Sequence, residues 1–503
     1  MKKEFAFGAL LSYGAILFNI ISGLLYTPWM IRTIGDDQYA LYALALSVIN
    51  IFLLDFGIGA SVTKFLSNYY AQGKNEEADR FMGIVCRVYI IISAAIAVCM
   101  GAFYFLIDSV YLKLTPSELS VFKNLYIIVA SYSVLSFPFT TFNGVLMANE
   151  RFIEIKACNF GQKVFGVLLT VVFLLCGRGV YALVLVHAIS NVIFVSLKYY
   201  FIRRSTKQRV ATRSWDSGIA KQLFHFSIWL TVMSVARRGI FQIMPTLIAA
   251  TVGSVAVTVF SLASTLEGYV YTFADAVNGM FMPKISRILT AENAGQRLND
   301  LMSKVGRFHV YTIGLLYIGF ICVGRQFIGL WLGEGYDSVY LCAVLLIFPS
   351  LIDSPQQIAK TSLMVTDVVK EQGLIYSGMA VLNVALALVL LPKVGITGAA
   401  LSICVAYLVR TAAFNVLYHK KLPVDLGRYF KDTYLRWLAT AGITLLFGLV
   451  VRGFPLFGWF GLLVKAVVIG GVYVACAWLI GLNTNARKNV IAKVRGWVCR
   501  RSR

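Results

Sequence analysis

Residues 221–253 read KQLFHFSIWLTVMSVARRGIFQIMPTLIAATVG, an apolar run long enough to cross a bilayer and interrupted near its middle by adjacent Arg237 and Arg238. At about 1.5 Å per helical residue, Arg237 lies roughly 24 Å from Lys221 and about 20 Å from the turn near Val252. That is too deep for either guanidinium to reach a headgroup easily. A charge at such depth costs at least about 2.5–3.5 kcal/mol, which disfavours a lipid-facing pair. The two arginines are expected to face other helices or a wet cavity, in a membrane protein whose interior attracts an anion.

The composition agrees. Of 503 residues 59% are hydrophobic and 14% charged, with a mean hydropathy of +0.76, so the class is an all-α polytopic membrane protein. The start, MKKEFAFGALLSYGAILFNIISGLLYTPWM, has two lysines and then a span of full bilayer length. A secretory signal has a shorter apolar region and a small-residue cleavage site, so this start is read as an uncleaved first helix. A net charge of +23 is distributed over alternate loops rather than a patch, which argues against nucleic acid. The cysteines are scattered, with no CxxC pair or metal-ligand spacing, so neither a disulfide framework nor a metal site is expected.

At roughly 20 apolar residues per span, the chain divides into about fourteen transmembrane helices. They lie near 8–31, 40–63, 82–107, 122–147, 158–177, 179–202, 222–250, 254–283, 306–324, 338–366, 371–391, 395–418, 434–452 and 456–482. The stretch GRQFIGLWLGEGYD (324–337) is read as an interfacial turn. With Met1 cytoplasmic, Lys and Arg favour one set of loops, which includes Lys156 and Arg203, by about five to one, placing both termini inside.

The basic loop from Arg203 to Ser217 separates two similar halves. Thr33-Ile34-Gly35 heads a span containing Tyr42, Leu44 and Ser47; Thr251-Val252-Gly253 heads one containing Phe260, Leu262 and Thr265. The polar stretch LSNYYAQGKNEEADRF (66–81) is echoed by ISRILTAENAGQRLNDL (285–301). Six spans between copies give parallel repeats about an axis along the membrane normal, a design that puts the substrate between halves. The expected organisation is a six-helix lobe over 1–202, a cytoplasmic basic linker over 203–220, a second six-helix lobe over 221–420, an extra two-helix hairpin over 421–482 and a basic tail over 483–503. In that tail Val490, Ile491, Val494, Trp497 and Val498 share one helical face, which suits either an interfacial helix on an anionic leaflet or a disordered tail.

The first spans also carry motifs. Tyr26-Thr27-Pro28, Ile34-Gly35, Gln38-Tyr39-Ala40-Leu41-Tyr42 and Leu53-Leu54-Asp55-Phe56-Gly57-Ile58-Gly59 together resemble the opening of Wzx-type polysaccharide flippases, members of the multidrug/oligosaccharidyl-lipid/polysaccharide exporter superfamily. Asn383 and the run Leu391-Pro392-Lys393-Val394-Gly395-Ile396-Thr397-Gly398-Ala399-Ala400 are similar to that family's signature between spans eleven and twelve. Ala40 departs from the family, which more often has Gly there. The resemblance implies a MATE-like fold in the bacterial inner membrane and no cofactor. It also implies transfer of undecaprenyl-diphosphate-linked oligosaccharide repeat units to the outer leaflet, for O-antigen, capsule or exopolysaccharide assembly. Membrane lipids, a polysaccharide polymerase and chain-length regulator proteins would be the partners.

A diphosphate substrate makes Arg237, Arg238 and Arg410 the candidate ligands, since guanidinium matches phosphate oxygens in bidentate fashion and stays charged. Glu267 lies about fourteen residues after the turn at Val252, as Arg238 lies about fourteen before it, so an ion pair is the competing role. Glu267, Asp275 and Asp55 are the candidate ion-coupling carboxylates; Asp55 also fits a cap or a salt bridge with Lys64. Asp353 and Arg410 either pair with each other or leave Arg410 lining the cavity. Lys465 is read as snorkelling or marking a lipid groove, and the four histidines as separate, interfacial residues.

No GxxxxGK[ST], GxSxG or HExxH sequence occurs, so nothing points to ATP hydrolysis or a catalytic centre. A multidrug exporter of cations calls for an acidic cavity, which the arginine pair opposes. A peptidoglycan-precursor exporter shares the diphosphate and stays open. A polymerase or ligase enzyme needs a sizeable outside loop, and the outside loops here are short.

Overall fold

In the computed structural model, which describes residues 2–53, 58–206, 217–275, 281–366 and 368–481, the described regular elements are all helical. The first half holds α1 (Lys2–Ile34), α2 (Asp36–Phe52), α3 (Ile58–Ala71), α4 (Asn75–Val110), α5 (Pro116–Ser136), α6 (Thr141–Ala148), α7 (Phe152–Leu175) and α8 (Gly179–Ser205). The second begins with α9 (Ser217–Thr251), α10 (Ser254–Asp275), α11 (Met282–Leu289), α12 (Ala294–Leu332), α13 (Asp337–Ile347) and α14 (Ser350–Asp353). It ends with α15 (Gln357–Val365), α16 (Val369–Val394), α17 (Ile396–Lys421), α18 (Leu426–Arg452) and α19 (Gly458–Cys476).

Among the described residues eleven helical segments are long and apolar enough to cross a membrane, and they coincide one for one with eleven of the expected spans. The other three expected spans, 40–63, 222–250 and 254–283, contain residues or side chains outside the description; α2 with α3, α9 and α10 occupy them. Residues 324–337 are not an interfacial turn throughout. Helix α12 continues to Leu332, and the chain turns only at Gly333–Gly335. The tail 483–503 lies outside the described residues.

The repeat appears in where the helices break. Gly35 (φ 86°) and Gly253 (φ 122°), 218 residues apart, both hold the left-handed backbone that lets one helix stop and the next begin, a conformation costly for any residue with a Cβ. Helices α2/α10, α4/α12, α7/α16 and α8/α17 start 218, 219, 217 and 217 residues apart. Among the described residues each half also has a span broken by a 3₁₀ turn that contains a proline, Pro138 and Pro355, again 217 apart.

Both breaks obey the same rule. A proline cannot donate to the carbonyl four residues earlier, so that oxygen needs another donor in a medium without water. Behind Pro138 the orphan is Val134 O, which accepts from Ser93 Oγ of α4 at 2.7 Å. Behind Pro355 it is Leu351 O, which accepts from Tyr434 Oη of α18 at 3.0 Å. Elsewhere helix starts are capped locally. At α5, Thr115 Oγ1 accepts from Glu118 N (3.3 Å) while Thr115 N donates to Glu118 Oε2 (2.8 Å), with Pro116 opening the helix.

The helices form two compact units, each from two chain segments: Met1–Leu262 with Val369–Ala406, and Ala263–Val368 with Tyr407–Arg503. In the first, α7 packs on α1 and α8, α2 on α5 and α9, α3 on α6, and α9 on α16. In the second, α12 is the hub, touching α13, α18 and α19. Helix α18 shows the membrane-protein pattern: Thr433, Thr440 and Thr444 are buried on one stripe while Leu446 and Val450 are exposed on the other face. Gly314 lets the Trp437 indole lie directly on the α12 backbone. Trp437 Nε1 then donates to Tyr473 Oη (3.0 Å), which donates to Tyr311 O (2.7 Å), tying α18 and α19 to α12.

Candidate functional site

Polar side chains recur along three apolar helices of the first unit at helical spacing. On α7 they are Lys156, Asn159, Lys163 and Thr170; on α1, Asn19, Ser22 and Tyr26; on α8, His187 and Ser190. Spacings of three, four and seven residues set each group on one face of its helix. These faces, with Tyr42 of α2, surround a cavity of about 720 Å³. Lys163 sits eleven residues inside α7, roughly 17 Å from either helix end. Its side chain is exposed, as are those of Lys156 and Asn159. An exposed ammonium flanked by amides at that depth requires that the space before it be aqueous rather than acyl.

Lys163 Nζ donates to Asn19 Oδ1 at 3.3 Å, a neutral partner. Behind the wall, Lys198 (9% exposed) donates to Asn159 Oδ1 at 2.9 Å, so a third cation is held against the same stripe. Tyr42 Oη and His187 Nε2 share a hydrogen bond of 2.6 Å. Ser190 Oγ is buried without a partner among the described residues and lines the cavity. Among the described residues no carboxylate lines it. The arrangement can desolvate and hold an anion, with lysine supplying charge and amides and hydroxyls supplying orientation.

A second cavity, of about 700 Å³, adjoins the first; Gln162 and His187 line both. It lies at the Pro138 break and is walled by amides, hydroxyls and aromatic rings.

The arginines and carboxylates named from the sequence fall in three places. Arg237 and Arg238 are on α9, and Asp275 ends α10, but these side chains lie outside the description, as does Asp55 altogether. Glu267 is half-buried on α10. Arg410 takes the pairing option: its Nη2 and Lys360 Nζ each lie 2.5 Å from Asp353 Oδ1. Arg410 is 3% exposed, with its guanidinium 4.2 Å from the Tyr407 ring centroid. Asp353 and Lys360 stand on either side of the Pro355 break, so this cluster spans the interruption in the tenth expected span. Lys465 is buried rather than snorkelling, donating to Gln326 Oε1 (3.2 Å) and Arg452 O (3.3 Å).

Sequence reading passed over Lys163, Lys198, Asn159 and Gln162, and treated His187 as interfacial. Lys156, expected in a cytoplasmic loop, is on α7 and lines the cavity. The signal was present as a polar stripe at 156, 159, 163 and 170 within an otherwise apolar helix.

Comparison with known proteins gives a consistent result. Residues 30–341, more than half of the chain, match the family model described as polysaccharide biosynthesis protein. The "Putative O-antigen transporter" of Shigella flexneri is 21% identical over 412 residues, covering 79% of this chain and 93% of that protein. The uncharacterized membrane protein EpsK of Bacillus subtilis (strain 168) is 22% identical over 521 aligned positions, covering 98% of both. Among solved structures, the fold is similar to lipid II flippase MurJ in an inward closed conformation, with a TM-score of 0.69 at 15% identity over 93% of this chain and 98% of that one. It is also similar to an inward-facing multidrug resistance MATE family transporter of the MOP superfamily, with a TM-score of 0.61 at 15% identity over 82% and 98%. The fold is therefore MATE-like, and the motif residues Tyr26–Pro28 and Gln38–Tyr42, with the eleventh-to-twelfth junction, sit on duplicated helices or at the turns between them. By that match the chain belongs to the polysaccharide biosynthesis protein family.

Proposed function

We propose that the protein is a flippase that moves undecaprenyl-diphosphate-linked oligosaccharide repeat units from the cytoplasmic to the outer leaflet of the bacterial inner membrane, with both termini cytoplasmic. One observation carries the reading: a cavity among the membrane-spanning helices, lined by Lys156 and Lys163 and by no carboxylate among the described residues. A diphosphate crossing a low-dielectric slab needs charged donors along its path, and Lys163, whose hydrogen bond runs to the neutral Asn19, stays available to it. A cation exporter would need the opposite lining.

In this proposal the lysine stripe of α7 receives the diphosphate, with Arg237 and Arg238 of α9 as further ligands, while the lipid tail stays in the bilayer. The cavity opens alternately to the two faces of the membrane. Arg410 of α17, tied to Asp353, stabilises the Pro355 break of the neighbouring span instead. Glu267, Asp275 and Asp55 are the carboxylates through which an ion gradient could act; otherwise export is drawn by downstream consumption of the product, where a polymerase and a chain-length regulator would act. The O-antigen transporter among the sequence relatives and the flippase and multidrug transporter among the fold neighbours support a carrier rather than an enzyme.

The fold likeness to a lipid II flippase keeps a peptidoglycan precursor as the second reading, since that cargo also bears a diphosphate. The test is glycan export in a deletion strain carrying Lys163→Gln or the double Arg237→Gln/Arg238→Gln variant. Loss of surface glycan with normal membrane levels is expected for both. Normal export by well-inserted variant protein overturns the anion-path reading, and rescue of a strain lacking its lipid II flippase selects the second reading.

A further inference from the structure

The second cavity differs from the first in chemistry while sharing a wall with it. Hydroxyls and amides make up its polar lining, the amides being Asn50, Asn143, Gln162 and Asn191. Tyr89, Tyr132 and Phe137 add aromatic rings to the wall, and no lysine, arginine or carboxylate lines it among the described residues. Each amide both donates and accepts, which matches the paired donor and acceptor character of a sugar hydroxyl. Aromatic faces offer flat apolar surface to the C–H side of a pyranose ring.

We infer that this cavity is a subsite for neutral sugars, receiving the first sugar residues of the glycan while the lysine cavity holds the diphosphate to which they are attached. The inference rests on the proposed reading of the first cavity and extends it to the class of glycan. Contiguity supports it. On α7, Lys163 and Gln162 are successive residues, the first lining only the lysine cavity and the second lining both. A cargo whose phosphate sits at Lys163 therefore has its next bonds beside Gln162. Selection follows from what the lining lacks. A uronic acid placed here would lose its hydration without gaining a charged donor, a cost that a neutral hexose or N-acetylhexosamine does not bear.

The equivalent break in the second half makes the contrast sharper. Counting back 217 residues, Asp353 corresponds to Ser136 and Lys360 to Asn143. One copy of the broken span is closed by charge, and the other is open and neutral.

The test uses the full-length protein in nanodiscs and three synthetic probes: polyprenyl diphosphate alone, the same lipid bearing a neutral N-acetylhexosamine disaccharide, and the same disaccharide with one ring oxidised to a uronic acid. Wild-type protein is expected to bind the neutral glycolipid about tenfold tighter than the bare lipid, the scale of one or two net hydrogen bonds, and the uronic acid probe no tighter than the bare lipid. The double variant Asn143→Leu/Asn191→Leu is expected to bring the ratio of neutral to bare affinity close to one. Asn143 is exposed within the cavity and Asn191 half-buried, so neither replacement opens the packed core. The subsite is overturned if bare lipid binds without a sugar increment, if the increment survives the double variant, or if the uronic acid probe binds as tightly as the neutral one. Failure of wild-type protein to bind even the bare lipid overturns the diphosphate reading, and the subsite falls with it.

Discussion

Replacing Lys163 by Met removes one charge from the cavity and almost nothing else. The ammonium's hydrogen bond runs to Asn19 Oδ1, a neutral acceptor at 3.3 Å, so no carboxylate is stranded when it goes. Two opposite charges 4 Å apart attract by about 4 kcal/mol at an effective dielectric of about 20, and a net hydrogen bond to a charged group is worth about 1.5–3 kcal/mol. Taking about 2–3 kcal/mol as the loss, Lys163→Met should bind polyprenyl diphosphate roughly 30- to 150-fold more weakly than wild type. Stability should move the other way or not at all, because the wild-type protein already bears the cost of an ammonium near mid-bilayer. The assay is titration of the lipid diphosphate into protein in nanodiscs, beside thermal unfolding of the same samples. Lys123→Met, which breaks a pair with Asp108 and a contact with the Tyr104 ring away from the cavity, is the control and should leave affinity unchanged. Binding by Lys163→Met within about twofold of wild type would refute the assignment. So would a large fall in melting temperature, which would make Lys163 a packing residue.

Asp353→Asn leaves Lys360 and Arg410 facing each other without their shared carboxylate and should cost about 3–5 kcal/mol, read as a lower melting temperature in detergent; Asp353→Asn/Arg410→Met should recover part of it. Tyr434→Phe and Ser93→Ala each strip a donor from a proline-freed carbonyl, and each should cost about 1–3 kcal/mol by chemical denaturation. An unchanged midpoint would mean the breaks find other donors. Gly314→Ala drives a methyl into the Trp437 indole and should cost about 1–3 kcal/mol while shifting tryptophan emission, because the Trp437–Tyr473 hydrogen bond must yield.

Span count and duplication were legible because they depend on long stretches, where hydropathy and spacing average over local irregularity. Gly35 and Gly253 announce the repeat, and both prove to hold the backbone that only glycine adopts readily. The two broken spans were written in Pro138 and Pro355 at the same 217-residue offset, yet hydropathy windows smooth over a turn of 3₁₀ helix. The site was harder. An arginine pair dominates any scan for buried charge, whereas Lys163 has no cation beside it in sequence and becomes informative only when Lys156, Asn159 and Thr170 are seen to share its face. Asp353 and Arg410 stand far apart in sequence, and spacing could not decide between pairing and lining. That choice depends on which side of α17 meets the Pro355 break, a matter of packing that no local pattern encodes.

A proline break in a membrane-spanning helix imposes only one requirement on the sequence around it, a donor for the carbonyl left behind. Ser93 and Tyr434 meet that requirement from neighbouring helices, by unrelated side chains and in unrelated geometry. Once it is met, the residues within the broken turn are no longer bound by the backbone and can diverge between the copies. In one copy Ser136 and Asn143 leave a neutral hollow of about 700 Å³. In the other, Asp353 and Lys360 close the same positions with an ion pair that Arg410 completes. A hollow and a clamp cost differently: an open polar cavity gives up packing, and a buried charge cluster gives up hydration. Duplication lets a chain carry both, so that the copy that loses packing can meet the cargo and the copy that loses hydration can hold its span rigid. A transporter built from one copy of the broken span would have to choose between them.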